Sequence, residues 1–269
     1  MKDRKFSFGK NWQDYLESIS EDRIQAAKTD IEKWLGKDAV KDKTVFDIGS
    51  GSGIHSLAFY LLGAKVVLSI DVDENSVTAT KSLRQKYGEP ENWEILHASI
   101  LDDEFVQKNK TRQFDIVYSW GVLHHTGKMW KAMENSCEFI KKKGLFWIAL
   151  YVKGSRYKKD LALKQKYNRS SALGKWFLKK KYLSRQYLKL LLFRDFKKIK
   201  VRLLRQEKIL SRGMDVKHDI DDWLGGLPYE VASVAEIVDF TRKKGLILEK
   251  IETGFEGGNN VCLFSKSDS

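Results

Sequence analysis

The stretch Val45-Phe46-Asp47-Ile48-Gly49-Ser50-Gly51-Ser52-Gly53 constrains this chain more than any other. The apolar run from Thr44 to Ile48 reads as a buried strand. Three glycines at alternate positions follow, then an apolar helical pattern from Ile54 to Leu62. Glycine turns sharply without strain and lets the backbone approach a ligand closely. The first amides of the next helix point into the same gap and favour a negative group. Strand, loop and helix together predict a seat for a nucleoside-bearing cofactor. The spacing is neither the dinucleotide fingerprint G-x-G-x-x-G nor a phosphate loop ending in Gly-Lys-Ser/Thr.

A second strand is predicted over Lys65 to Ile70, closed by Asp71, 18 residues after Gly53. A carboxylate at the end of that strand can accept hydrogen bonds from both hydroxyls of a ribose. Asp47 with Gly49, Gly51 and Gly53, followed by Asp71, resembles the S-adenosylmethionine site of class I methyltransferases. The resemblance implies an α/β fold: a seven-stranded sheet with helices on both faces. It implies S-adenosylmethionine as cofactor, with Asp47, Gly49, Ser50, Gly51, Gly53, Asp71 and Val72 as its contacts. Family members usually place an acid after the third strand, to bond the adenine amino group. Here that position is Ser99, whose hydroxyl can accept the same bond more weakly; Asp102 or Asp103 either substitutes for it or caps the next helix.

From residue 44 to 152 strand and helix patterns alternate, which implies a parallel sheet with covered faces. Helices are expected over Glu74–Lys86, 102–109 and 129–140, and strands over 93–98, 114–119 and 145–152. Residues 1–43 read as an N-terminal helical extension: Ser20 resembles an N-cap, and Ile24, Ala27, Ile31, Trp34 and Leu35 recur at helical spacing. An aromatic cluster ahead of it, Phe6, Phe8, Trp12 and Tyr15, either caps the sheet edge or forms a flap over the site. Residues 153–228 break the alternation and read as a mainly helical basic insertion after the fifth strand. Residues 229–269 close the core: Ser233 and Glu236 form a capping box, Gly245 ends that helix, and a hairpin of the kind that closes class I methyltransferases follows.

The fourth strand runs into Ser119-Trp120-Gly121-Val122-Leu123-His124-His125-Thr126. Its end is expected beside the cofactor's methionine part, with Ser119 and Trp120 as contacts. Methyl transfer from a sulfonium is an in-line displacement that needs a positioned nucleophile and a destination for its proton. An imidazole is suited to take it, so His124 and His125 are candidate general bases, or else braces of their loop. A dense stretch over 212–230 brings polar, aromatic and glycine residues together, which is costly to bury without partners. His218 and Asp219 in it are further catalytic candidates. The alternative is a capped turn in which Asp219 or Asp221 starts a short helix at Trp223. A metal site from His218, Asp219 and Asp222 is not favoured, because adjacent acids do not specify ligand geometry.

Charge separates the insertion from the rest. The chain carries +13, but residues 153–212 hold 21 Lys and Arg against three acids, while the remainder has 28 basic and 33 acidic residues. One basic face argues against general nucleic-acid wrapping. A nucleic-acid partner is not favoured. A small or glycan-linked acceptor, itself anionic, or peripheral contact of 182–204 with an anionic membrane suits the charge. The chain has no run of 18 apolar residues, no apolar stretch at its N-terminus, and two cysteines that read as buried thiols, so the expected compartment is the cytoplasm. Residues 5–24, 119–135 and 212–233 are similar to a bacterial subgroup of class I methyltransferases close to quinone and small-molecule methylases. That similarity implies methyl transfer to a small or glycan-linked acceptor, at oxygen, with a histidine base. RNA or protein methylation, and a non-catalytic cofactor-binding role, are the alternatives. Oligomeric state does not follow from the sequence.

Overall fold

The computed structural model describes residues 19–192, 216–254 and 258–267. Helix α1 (Glu21–Leu35) precedes β1 (Thr44–Ile48), α2 (Ile54–Leu61), β2 (Val66–Asp71) and α3 (Glu74–Lys86). Then come β3 (Trp93–His97), α4 (Asp103–Asn109), β4 (Phe114–Trp120), a 3-10 turn (Leu123–His125), α5 (Met129–Cys137) and β5 (Ile140–Tyr151). Three helices follow: α6 (Tyr157–Arg169), α7 (Ala172–Leu192) and α8 (Val216–Gly225). Helix α9 (Val234–Arg242) and the hairpin β6 (Leu246–Thr253) and β7 (Asn259–Lys266) complete the chain.

The strands form one seven-stranded sheet in the order β3-β2-β1-β4-β5-β7-β6. All pairings are parallel except those of β7, which runs antiparallel to β5 and β6. The order reverses between β1 and β4, and ligands of such sheets bind beyond the strand ends at that point. Strand β1 shows how the sheet is covered. Phe46 and Ile48 face one apolar layer with α5 and α9, and Val45 faces the other with α1 and α2. The helical spacing of Ile24, Ala27, Ile31 and Trp34 is met: all four are buried in the second layer. Both cysteines are buried thiols, pushed up to about 12 by desolvation.

Several expectations shift. The helix expected over 129–140 stops at Cys137, and β5 begins at Ile140, five residues early. Ile140 pairs with Phe114 and Leu145 with Ile116, so an irregularity carries the residues between, with Lys143 at φ +60. Ile140 continues the apolar period of the helix, which hid the boundary. No helix starts at Trp223: α8 spans Val216–Gly225, so Asp219 and Asp221 lie inside it and Trp223 sits near its end. Ser20 precedes α1, but its side chain makes no capping bond, whereas the Ser233–Glu236 capping box forms in full. The cluster Phe6, Phe8, Trp12 and Tyr15 and most of 182–204 lie outside the described residues. Among the described residues no helix is long and apolar enough to cross a membrane.

A buried polar chain crosses the first three strands. Trp93 Nε1 donates to Ser69 Oγ (2.9 Å), Ser69 to Ser56 Oγ (2.8 Å), and Ser56 to Asp47 Oδ2 (2.5 Å). Replacing Ser69 by Ala strands the indole N–H inside the protein. The variant should lose about 1–3 kcal/mol of stability, read as a lower urea midpoint at unchanged slope.

Candidate active site

The turn after β1 is held by one carbonyl. Gly49 and Ser50 N–H both donate to Ile70 O, at 2.8 and 3.1 Å, which folds the loop over the end of β2. Gly49 reaches this at φ +83, and a Cβ there would stand 2.4 Å from Val122 Cγ2. The loop is thus pressed between β2 and the segment after β4. Gly51 N–H donates to Asp71 Oδ2 (3.0 Å), and Asp73 N–H to Oδ1 (2.9 Å). A carboxylate offers about four acceptor directions, so Asp71 keeps capacity for a ligand hydroxyl. Burial raises the proton affinity of Asp71, and the amides of Asp73, Gly51 and Val72 oppose that rise. Val72 beside it is 64% exposed, an apolar face next to the carboxylate. A carboxylate with acceptor capacity beside an apolar face suits a nucleoside.

The other candidates divide. The Asp47 carboxylate is buried and bonded to Ser56, so it braces the helix that carries the loop. Ser50 Oγ pairs with Thr80 Oγ1 (3.1 Å), and Gly53 packs on Thr80 at the start of α2. Ser99 Oγ accepts from Leu101 N–H (3.1 Å) and is half-buried beyond β3. Asp102 caps α4 by accepting from Glu104 and Phe105 N–H, which resolves its alternatives in favour of the cap. Ser119 Oγ donates to Ile48 O (2.9 Å), stitching β4 to β1. Trp120, half-buried, stands edge-on to Trp147.

Two residues past Val122 the histidine pair begins. His124 is fully buried, and its Nδ1 accepts from Tyr151 N–H (3.2 Å), so its proton sits on Nε2. Among the described residues that Nε2 meets no hydrogen-bond partner. His125 Nδ1 meets Pro228 O at 2.7 Å; a carbonyl only accepts, so Nδ1 carries the proton and Nε2 is the basic atom. Desolvation lowers His124 well below the usual imidazole range and His125 to about 3. Both are neutral at pH 7. A nitrogen of such low affinity takes a proton only from an acidic donor.

Residues 225–230 clasp this turn, a contact missing from the sequence reading. Glu230 N–H donates to His124 O (3.0 Å), and its carboxylate accepts from Met129 N–H at 3.1 and 3.2 Å at the start of α5. A Cβ on Gly226 would stand 2.6 Å from His125 Cε1. His218 and Asp219 are on α8, and their side chains lie outside the described residues. Beside the clasp is a cleft of about 450 Å³ lined by Trp130, Lys153, Tyr157, Lys158 and Glu230 among others. None of its lining comes from the glycine loop. Among the described residues no cluster of His, Cys, Asp and Glu could hold a metal ion.

The seven-stranded mixed sheet, its strand order and the helices that cover it are those of the class I methyltransferase fold. A family model described as "Methyltransferase domain" matches residues 39–207, more than half of the chain. The chain belongs to this family of S-adenosylmethionine-dependent methyltransferases. It is 44% identical over 117 residues to ribosomal protein L11 methyltransferase of Acinetobacter baumannii (strain AYE), a match spanning 44% of this chain and 36% of the relative. The matched segment is thus about a third of that relative's length. Magnesium protoporphyrin IX methyltransferase from Synechocystis PCC 6803, with bound SAH, is similar in fold: TM-score 0.53 at 11% identity, over 91% of this chain and 83% of that one. An O-methyltransferase family protein from Burkholderia thailandensis gives 0.54 at 13% identity, over 88% and 55%.

Gly49→Ala should abolish S-adenosylmethionine binding and destabilise the fold. Adding Val122→Ala removes the clash but not the strain of φ +83, so calorimetry should show only partial recovery of binding.

Proposed function

We propose that this chain moves a methyl group from S-adenosylmethionine to a nucleophile on a polypeptide. The cofactor supplies an electrophilic methyl on sulfonium. The chain's own residues bind and orient: Asp71 takes the ribose hydroxyls, Val72 meets one face of the base, and Ser99 its edge. The loop amides at Gly49, Ser50 and Gly51 and the segment at Ser119–Trp120 border the methionine part. Asp47 and Gly53 hold loop and helix in place. The turn His124–His125 follows that segment, with His125 Nε2 as its candidate basic atom.

The protein acceptor rests on the curated relatives, whose shared name gives a ribosomal protein as their substrate. Charge supports it: α6 exposes Lys158, Lys159, Lys166 and Arg169, and α7 exposes Lys180, Lys181 and Arg185, so an acidic segment would dock there. A second reading keeps a small anionic acceptor, favoured by the cleft. Its volume suits a compact molecule, and Trp130, Tyr157 and Lys158 offer ring faces and a cation.

Labelled-methyl transfer into cell extract separates these. Label in a protein band is expected. Label confined to the low-mass fraction would replace the protein reading with the cleft, and label in RNA would overturn both.

Asp71→Ala should weaken S-adenosylmethionine binding by about tenfold or more, about 1.4 kcal/mol. Binding by the wild type should also fade on acidification at a higher pH than an ordinary Asp would impose. Burial raises the Asp71 carboxyl, so it protonates sooner as pH falls and then loses an acceptor oxygen. Calorimetry across acid pH, with Asp71→Asn as the pH-independent control, reads this directly.

A further inference from the structure

Lysine is among the residues least often found wholly inside a protein, yet Lys164 exposes none of its surface. It lies on α6 between Asp160 and Tyr167, a buried polar stripe at helical spacing. Its ammonium stands 4.5 Å from the ring centre of Trp223, 4.6 Å from Tyr229 and 5.4 Å from Tyr151. It also donates to Trp223 O, near the C-terminal end of α8, where a helix favours a cation.

Two of these contacts, Tyr151 and Tyr229, lead on to the histidine turn. The Tyr151 ring lies 3.9 Å from that of His124 and 5.3 Å from that of His125, and Tyr151 N–H fixes the His124 tautomer. Tyr229 follows Pro228, whose carbonyl fixes the tautomer of His125. One turn along α6, Asn168 donates to Gly225 O (2.8 Å), where the clasp begins. We propose that Lys164 is a positioning residue of the transfer site: its caged ammonium holds the clasp on the turn and keeps His124 and His125 as neutral imidazoles of opposite tautomer. The word "transfer site" rests on the function proposed above; the tautomers and charges do not.

The groups facing this ammonium are Asp160 on its own helix, paired with Arg156 at 3.4 Å, Asp222 on α8, the two histidines, and the tyrosines of β5 and the clasp. The two acids favour the charged amine, and burial brings it down to about 7. Its charge is therefore present below about pH 7 and fades above. An ordinary histidine becomes imidazolium over the same range, near 6.5. The ammonium is present where it is needed to oppose a second buried cation.

The test uses the full chain labelled with ¹⁵N-histidine, and long-range ¹H–¹⁵N spectra that report tautomer and protonation. In the wild type, His124 should appear as Nε2–H and His125 as Nδ1–H, with neither imidazolium above about pH 5. In Lys164→Met the His125 midpoint should rise by about one unit, and at least one ring should become a tautomer mixture. Lys164→Arg, which keeps the charge, should leave both midpoints at their wild-type values. A folded Lys164→Met with wild-type midpoints and tautomers overturns the proposal. If that variant does not fold, the wild type decides: opposite, pH-resistant tautomers support the proposal, and an imidazolium above about pH 6 or two like tautomers overturn it. S-adenosylmethionine calorimetry on the same samples keeps the two proposals apart. A wild type that fails to bind it would sink the methyltransferase reading and leave the histidine result standing.

Discussion

One carbonyl oxygen organises the cofactor seat. Ile70 O, at the end of β2, receives the amides of both Gly49 and Ser50. Two donors on one acceptor pull the chain back across the strand tips as soon as β1 ends, and only a residue content at φ +83 can make that turn. The next residue of β2 is Asp71, so the same bend brings Gly51 N–H onto its carboxylate. The buried chain from Asp47 through Ser56 and Ser69 to Trp93 then fixes the angle at which α2 leaves. Binding residues and bracing residues are therefore different sets. In the proposed site Asp71 and Val72 would meet the ligand, whereas Asp47 braces the helix behind the loop that holds them.

Val122 joins the cofactor seat to the second centre. It fills the space a side chain at position 49 would need, and it is only two residues before His124. A ligand that shifts the glycine turn must press on Val122 and so on the turn that carries both imidazoles. On the far side the clasp presses back through Pro228 O, Glu230 N–H and the close approach of Gly226. The histidines are thus held between the cofactor loop and the end of the insertion, with hydrogen bonds that assign a different bare nitrogen to each.

The parts legible from sequence were those governed by local rules. The glycine loop, the acid closing β2, the capping box at Ser233 and the alternation that makes the parallel sheet all depend on residues near one another in the chain. The start of β5 was lost because Ile140 satisfies a helical period and a strand equally. The bracing bond of Asp47 was not legible, because an acid beside a glycine loop has two uses and its partner, the Ser56 hydroxyl, lies nine residues on in the helix. Lys164 was hidden for a different reason. In a segment rich in lysine, one more reads as a solvated charge, and its burial depends on Tyr151, Trp223 and Tyr229, which come from β5 and from 60 residues downstream. A local signal was present: Asp160, Lys164 and Tyr167 recur at helical spacing on one face. A stripe of polar residues where an apolar stripe is expected marks a helix docked by directed bonds.

That polar stripe bears on why the insertion is built as it is. Helices α6, α7 and α8 meet through Lys164 and its rings, through Lys179 on Asp221 at 2.6 Å, and through Asn168 on Gly225 O. Apolar side chains of the same size would hold three helices together as tightly or more so, since buried charges lose hydration that their pairing only partly restores. What directed contacts add is register. An apolar face tolerates sliding, but an ammonium in a three-ring cage or a lysine on a single carboxylate does not. The clasp must meet the histidine turn to within a hydrogen bond for Pro228 O to orient His125. An insertion that only covered the site could be greasy. One that orients His125 through Pro228 O has to be placed by bonds with direction, and the polar interior of this one is of that kind.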